Sequence, residues 1–360
     1  MGSMFDYLDW RGDLSFNAVP VTPADALIFS TLSYMNFDSL VQGNLDNPVP
    51  LHVVADTFLS LADAQDRVRV KSDLQLLRAV ADAPRFANLR LAFYRSKLIV
   101  EEETQFAAIA FLLDDGTVFV AFRGTDYSLV GWKEDLNMSF QDSVPAQREA
   151  AAYVAELAEL YPFPLRLGGH SKGGNLAVYA AAKVSPNIQK QILEVYNLDG
   201  PGFTEKMMND PGYLDMLPKI QTYIPEGSII GMLLDQRDEY QVIKSRQVGI
   251  LQHEPFSWEI RAGTFEYAEE ISKANRFTDK AITNWIRDMT PKEREAFVDA
   301  FYQLLSAGGA SSVGELLHPK NIVAFVKALN ANDESRKLLS DEIGDLFKAA
   351  YASLPRNDKT

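Results

Sequence analysis

Apolar positions recur along the chain with two different periods, and the switch between them divides it. Near the N-terminus the spacing is helical. Asp25 to Tyr34, preceded by Pro23, puts Leu27, Ile28, Thr31 and Leu32 on one stripe. Ser72 to Ala83 predicts a second helix, with Ser72 as N-cap, Leu74, Leu77 and Ala81 on one face, and Pro84 as its stop. Between them Phe37 to Val54, with Gly43, Asn44, Asn47, Pro48 and Pro50, reads as loop, and Trp10 to Leu14 opens the ordered part. From Leu89 the period shortens. Leu89 to Val100 predicts a strand, and Gln105 to Leu113 with Thr117 to Phe122 predicts a hairpin across Asp114-Asp115-Gly116. Gln147 to Leu160 predicts a helix closed by Pro162 and Pro164.

The alternation continues. Pro164 to Leu167 is extended, and Asn175 to Lys183 is a run of helix formers. Ile192 to Leu198 and Lys219 to Ile224 predict strands, and Tyr240 to Ser245 a shorter one paired with Val248 to Leu251. Strands alternating with helices imply an α/β fold, a mostly parallel sheet covered on both faces. Beyond Glu266 the pattern is helical over Lys280 to Met289, Pro291 to Leu305, Lys320 to Leu329 and Glu334 to Tyr351. The organisation expected is an α/β domain over 1–263, a helical extension packed on it over 264–354, and a disordered tail over 355–360.

Composition narrows the function. A net charge of −14 and the lack of a Lys/Arg cluster exclude a nucleic-acid-binding face. The absence of cysteine excludes disulfides, thiolate catalysis and Cys-based metal sites. The longest apolar run, Ala107 to Leu113, is far short of the ~20 residues of a membrane span. The start of the chain has neither a basic nor an apolar leader segment, so a cytoplasmic protein is expected.

One stretch carries chemistry. Gly169-His170-Ser171-Lys172-Gly173 lies between the extended run and the helix, in the G-x-S-x-G pattern of a nucleophile elbow. A serine on a strained strand-to-helix turn points its hydroxyl outward, and the residues two before and two after must be small for strand and helix to approach. The helix behind it offers N–H groups and a positive dipole end to an oxyanion. A serine nucleophile needs a base and an acid to orient it. Of four histidines, His52 and His170 precede the serine, and His170 points away from it; His318 sits at a helix junction. His253, just past the last predicted strand, is the candidate base. For the acid, Asp199 ends the strand after the elbow; Asp235, one strand later, is the second choice and Asp238 the third. The plain alternatives are a turn residue for Asp199 and a solvated charge for Asp235.

Val120-Ala121-Phe122-Arg123-Gly124-Thr125, followed by Trp132 and Asp135-Leu136, resembles the F-R-G-[ST]…W…D-L signature of class 3 (fungal-type) lipases. Gly169 to Gly174 is similar to that family's G-H-S-L-G-G. Trp10 to Leu14, Gly169 to Asn175, Asp199 to Phe203 and Gln252 to Trp258 resemble segments of a group of bacterial class-3-lipase-like proteins. The resemblance implies an α/β-hydrolase fold and hydrolysis of a small-molecule or lipid ester, with no metal or organic cofactor. It implies an oxyanion hole made by Thr125, through its N–H and hydroxyl, and by the N–H of Lys172, with Arg123 bracing the loop. Two departures stand out. Ser228 occupies the place where class 3 lipases carry the acid, which favours Asp199. Lys172 replaces leucine, and its side chain reads as solvated on the first helical turn. The 126–144 loop or the C-terminal helices are the candidate cover. Met207-Met208 and Met232-Leu233-Leu234 are either an acyl pocket or plain core. Acyl transfer, thioester or amide cleavage, and a catalytically silent binding module are the alternatives.

Overall fold

A computed structural model describes residues 2–268 except 127, 229, 233, 235, 236 and 238, together with 290–306, 309, 320, 321 and 324. An eight-stranded sheet dominates the described residues, its strands side by side in chain order: β1 Val49–Pro50, β2 Arg90–Ile99, β3 Thr104–Leu112, β4 Val118–Phe122, β5 Leu165–His170, β6 Ile192–Leu198, β7 Ile220–Pro225 and β8 Tyr240–Ile243. β1 to β4 pair antiparallel, and β4 to β8 pair parallel. The antiparallel half follows from the hairpin, where Gly116 takes the positive φ of +77° that the turn between β3 and β4 requires. The parallel half requires crossovers, and these are the helices.

Helices cover both faces, so the central strands are apolar on both sides. Every residue of β4 and β5 is buried. One face packs on α1 Met4–Arg11, α2 Pro23–Leu32, α3 Leu51–Ser60 and α4 Lys71–Asp82, through Leu27, Phe29, Phe58, Leu77, Phe111 and Phe119 among others. The other packs on α7 Pro145–Leu160 and α8 Lys172–Lys183, where Tyr153, Val154, Leu157, Leu176 and Ala180 meet Val120, Phe122 and Leu167.

Five local expectations change. α1 lies ahead of the expected start of order; its signal is the capping box of Ser3 and Asp6. α3 begins within the stretch that reads as loop. Its stripe of Leu51, Val54, Ala55 and Phe58 is buried, and Pro50 supplies the extended residue before it. α4 starts one residue early, and Asp73 rather than Ser72 caps it, its carboxylate accepting from the N–H groups of Arg69 (2.9 Å) and Val70 (2.9 Å). Pro84 opens a short helix, α5 Pro84–Ala87, that continues the packing. Val248 to Leu251 forms no strand: Gly249, at φ +56°, turns the chain into the 3-10 turn Gly249–His253, and β8 instead pairs with β7.

A short helix, α6 Leu129–Asn137, occupies the stretch expected as a covering loop. The helix Pro291–Ser306 lies against it, joined by Lys133 Nζ to Asp299 Oδ1 at 2.8 Å. The helices expected over 280–289 and 334–351, most of that over 320–329, and the tail 355–360 fall outside the described residues. No helix among the described residues is long and apolar enough to cross a membrane.

Candidate active site

The elbow shows why its glycines cannot carry side chains. Ser171 sits between β5 and α8 at φ +60°, ψ −135°, a conformation costly for a residue with a Cβ. A Cβ on Gly169 would lie 2.2 Å from the carbonyl carbon of Gly173, and one on Gly173 would lie 2.1 Å from the carbonyl oxygen of Phe122. Strand and helix touch at these points. Since α8 begins at Lys172, its leading N–H groups have no intrahelical acceptor and form the positive end of the helix behind Ser171. The elbow's N–H donates to Leu198 O (2.9 Å), tying it to β6.

The end of β6 presents Asp199, also at positive φ (+57°) and fully buried. Its carboxylate accepts from His253 Nδ1 (2.6 Å), Ser228 Oγ (2.7 Å) and the Gly231 N–H (3.1 Å). Nδ1 therefore carries a proton, and His253 Nε2 is left as an acceptor. Gly231 is small for a reason: a Cβ there would lie 2.3 Å from Asp199 Oδ1. Ser228, standing where the resembled family carries its acid, holds this carboxylate instead. Asp235 and Asp238 fall outside the described residues, as does His318. His52 is elsewhere, on α3, with Nδ1 bonded to Ala87 O (2.9 Å).

His170 has a role the sequence did not reveal. It is buried, and its ring lies 4.5 Å from that of His253, centroid to centroid. Nε2 donates to the carbonyl of His253 (2.7 Å), and Nδ1 accepts from the Tyr34 hydroxyl (2.9 Å). A carbonyl only accepts, so the proton belongs on Nε2. Burial, and then the neighbouring His253, hold His170 well below its usual pKa, in the neutral form. The His253 loop has two further ties. Arg69 forms a fork on Glu254, both bonds 2.6 Å, while its guanidinium lies over the Tyr34 ring at 5.1 Å. Gln252 accepts from the Gly227 N–H (2.7 Å) through its side chain and from Trp258 Nε1 (2.9 Å) through its carbonyl. Tyr34, Arg69 and Trp258 thus hold the candidate base from outside its own segment or at its far end.

Asn175, the last residue of the Gly169 to Asn175 segment, joins it to the Asp199 to Phe203 segment. Its Nδ2 donates to Pro201 O and Gly202 O (both 3.0 Å), and its Oδ1 accepts from Gln147 Nε2 (2.8 Å). Beyond that loop, Phe203, Met207 and Met208 are buried in the apolar cluster with Tyr213, as plain core.

The loop after β4 carries the other candidate donor. Thr125 Oγ1 donates to Asp135 Oδ2 (2.5 Å), so its hydroxyl proton is engaged and its N–H remains for an oxyanion. Gly124 leaves no room: a Cβ would lie 2.1 Å from the Tyr34 hydroxyl and 2.5 Å from His170 O. Arg123 reaches Asp126 at 4.0 Å; against the burial that would raise it, hydrogen bonding from Ser128 and then this charge hold Asp126 below the usual carboxylate pKa. Lys172 departs from expectation. Its side chain is 1% exposed and donates to Gln105 O (3.0 Å), Gln105 Oε1 (2.9 Å) and Glu134 Oε2 (3.0 Å). Burial of Lys172 is tolerated because α6 brings a buried carboxylate to meet it.

The elbow between a central parallel strand and its helix, with the paired Asp and His on loops at the carboxyl edge, is the α/β-hydrolase fold. Among solved structures, the chain is similar to Rhizomucor miehei lipase with its propeptide: 16% identity, TM-score 0.38, covering 65% of this chain and 76% of that one. A deletion mutant of the same complex gives 15% identity and TM-score 0.41, covering 64% and 77%. The M37 lipase gives 11% identity and TM-score 0.34, covering 69% and 82%. No curated protein matches the chain. A family model described as Mbeg1-like matches residues 80–303. That span is more than half of the sequence, and the chain belongs to the Mbeg1-like family.

Proposed function

We propose that the chain is a serine hydrolase cleaving carboxylic esters through an acyl-enzyme. The observation that carries the proposal is the buried Asp199 carboxylate bonded to His253 Nδ1 at 2.6 Å, at the same sheet edge as the Ser171 elbow. Ser171 Oγ attacks the acyl carbon while His253 Nε2 takes its proton. The carbonyl oxygen becomes an oxyanion held by the N–H groups of Thr125 and Lys172. Each such donor contributes about 3–4 kcal/mol of barrier lowering in hydrolases of this kind. Collapse of the intermediate expels the alcohol, protonated by the imidazolium, and Asp199 stabilises that cation. Water then releases the acid by the same steps in reverse.

The α/β domain runs past the expected boundary at 263, since Thr264–Phe265 pairs antiparallel with Ile260–Arg261 and Phe265 is buried in the core; in this proposal the helical extension expected over 264–354 follows that strand, a reading supported by the contact of helix Pro291–Ser306 with α6. Substrates are ester-bearing small molecules or lipids. Labelling with a fluorophosphonate probe and turnover of p-nitrophenyl esters test the assignment. Ser171→Ala should abolish both, and a mutant that still labels would place the nucleophile elsewhere.

A further inference from the structure

Lys172 joins burial and charge at a point the proposed chemistry does not use. Its ammonium has spent all three protons on Gln105 and Glu134. Glu134 is equally complete: Oε2 also accepts from the Gln105 N–H (3.0 Å), and Oε1 from the Ala146 N–H (2.8 Å). Asp135 follows it on α6. Its enclosed Oδ1 has no hydrogen-bond donor and lies 3.6 Å from Lys172 Nζ, while Oδ2 takes the Thr125 hydroxyl. One carboxylate therefore stands between the side chain of Lys172 and that of Thr125. These are the two residues whose N–H groups the proposed oxyanion hole uses.

A buried ion pair is weak support for stability, since desolvation cancels most of the attraction. Its value lies in fixing geometry. Oxyanion donors must sit 2.7–3.1 Å from where charge develops, on opposite sides of one atom, yet they come from separate loops. We propose that Lys172 is a positioning residue: its ammonium, acting through Asp135, sets the placement of the Thr125 loop against the start of α8. The inference rests on the serine-hydrolase reading. A leucine at this position would leave Glu134 buried without its cation and Asp135 held only by Thr125.

The test is the double variant Lys172→Met with Glu134→Gln, which removes the ion pair as a whole and does not leave Glu134 as a bare buried carboxylate. With a p-nitrophenyl ester, kcat should fall by about 10- to 100-fold with KM within about twofold, and fluorophosphonate labelling should slow by a similar factor. Asp135→Asn added to this background should cost less than it costs the wild type, because the two act in series. A folded double variant with wild-type kcat, or losses that simply multiply, overturns the inference. Where the double variant does not fold, Lys172→Arg keeps the charge, alters the geometry and gives the same kcat readout. A wild type that neither labels nor turns over esters removes the hydrolase reading and the inference with it, a result distinct from either variant outcome.

Discussion

Asp199 reaches His253 from the end of β6, and Ser228, one strand further on, donates to the same carboxylate oxygen at 2.7 Å. The proposed acid comes from the strand directly beside the elbow strand. Its oxygens are filled by the imidazole, a hydroxyl and the Gly231 N–H, which leaves no site for solvent to compete.

This geometry supports Asp199 as the proposed acid. Asp199→Asn should lower kcat by about a thousandfold to ten-thousandfold, because the amide favours the wrong imidazole tautomer and removes the counter-charge. Asp235→Asn should leave kcat within about threefold, because the His253 Nδ1 proton is already taken by Asp199. Steady-state kinetics on folded protein, checked by circular dichroism, separates them; a large loss confined to Asp235→Asn would move the acid.

Much of this was legible because the constraint is local. Gly169, Ser171 and Gly173 encode a steric requirement within five positions, and Asp199 announces itself by ending an apolar strand. Ser228 in place of the usual acid also pointed to Asp199. What stayed hidden depends on distant partners. Tyr34 lies 136 positions before His170, and Arg69 lies 185 before Glu254. Lys172 read as solvated because Glu134 sits on α6, whose nine residues carry too little periodicity to stand out from a loop. α1 was the exception: its Ser3 to Asp6 box is local and was there to be read.

The stability of the fold should depend on Asp73. Burial pushes its carboxyl up to about 6, despite the opposing Val70 and Arg69 N–H groups. The ordinary value is lower, so between roughly pH 4 and 6 the folded chain binds this proton more than the unfolded chain does. The contribution of Asp73 to stability is therefore full below that window and lost as pH rises through it. Asp73→Asn keeps an acceptor for the helix cap but does not titrate. Measured by urea unfolding, the stability of the variant minus that of the wild type should rise by about 1–3 kcal/mol from pH 4 to pH 7. A flat difference would show that Asp73 does not carry this linkage.

The last prediction concerns how the base is held. His170 spends its Nε2 proton on the His253 carbonyl, and the Tyr34 hydroxyl supplies the donor that keeps Nδ1 an acceptor. The His253 carbonyl sets the tautomer, and Tyr34, whose own pKa burial pushes far up so that it stays protonated, pins the ring from α2's end of the molecule. Tyr34→Phe removes that donor and leaves a buried imidazole nitrogen unsatisfied, at a cost of about 1–3 kcal/mol in stability. The proton stays on Nε2, which still donates to the His253 carbonyl, but the ring loses its second anchor and that tie loosens. The Arg69 fork on Glu254 still anchors the next residue, so the loop loosens without coming free. The expected result is a kcat lower by about 3- to 30-fold with the acid limb of the pH profile unmoved, since Asp199 still faces His253 Nδ1. The His170 Nδ1 chemical shift should report the lost hydrogen bond directly while Nε2 stays protonated, and an unaltered Nδ1 shift in Tyr34→Phe would show that Tyr34 does not hold this ring.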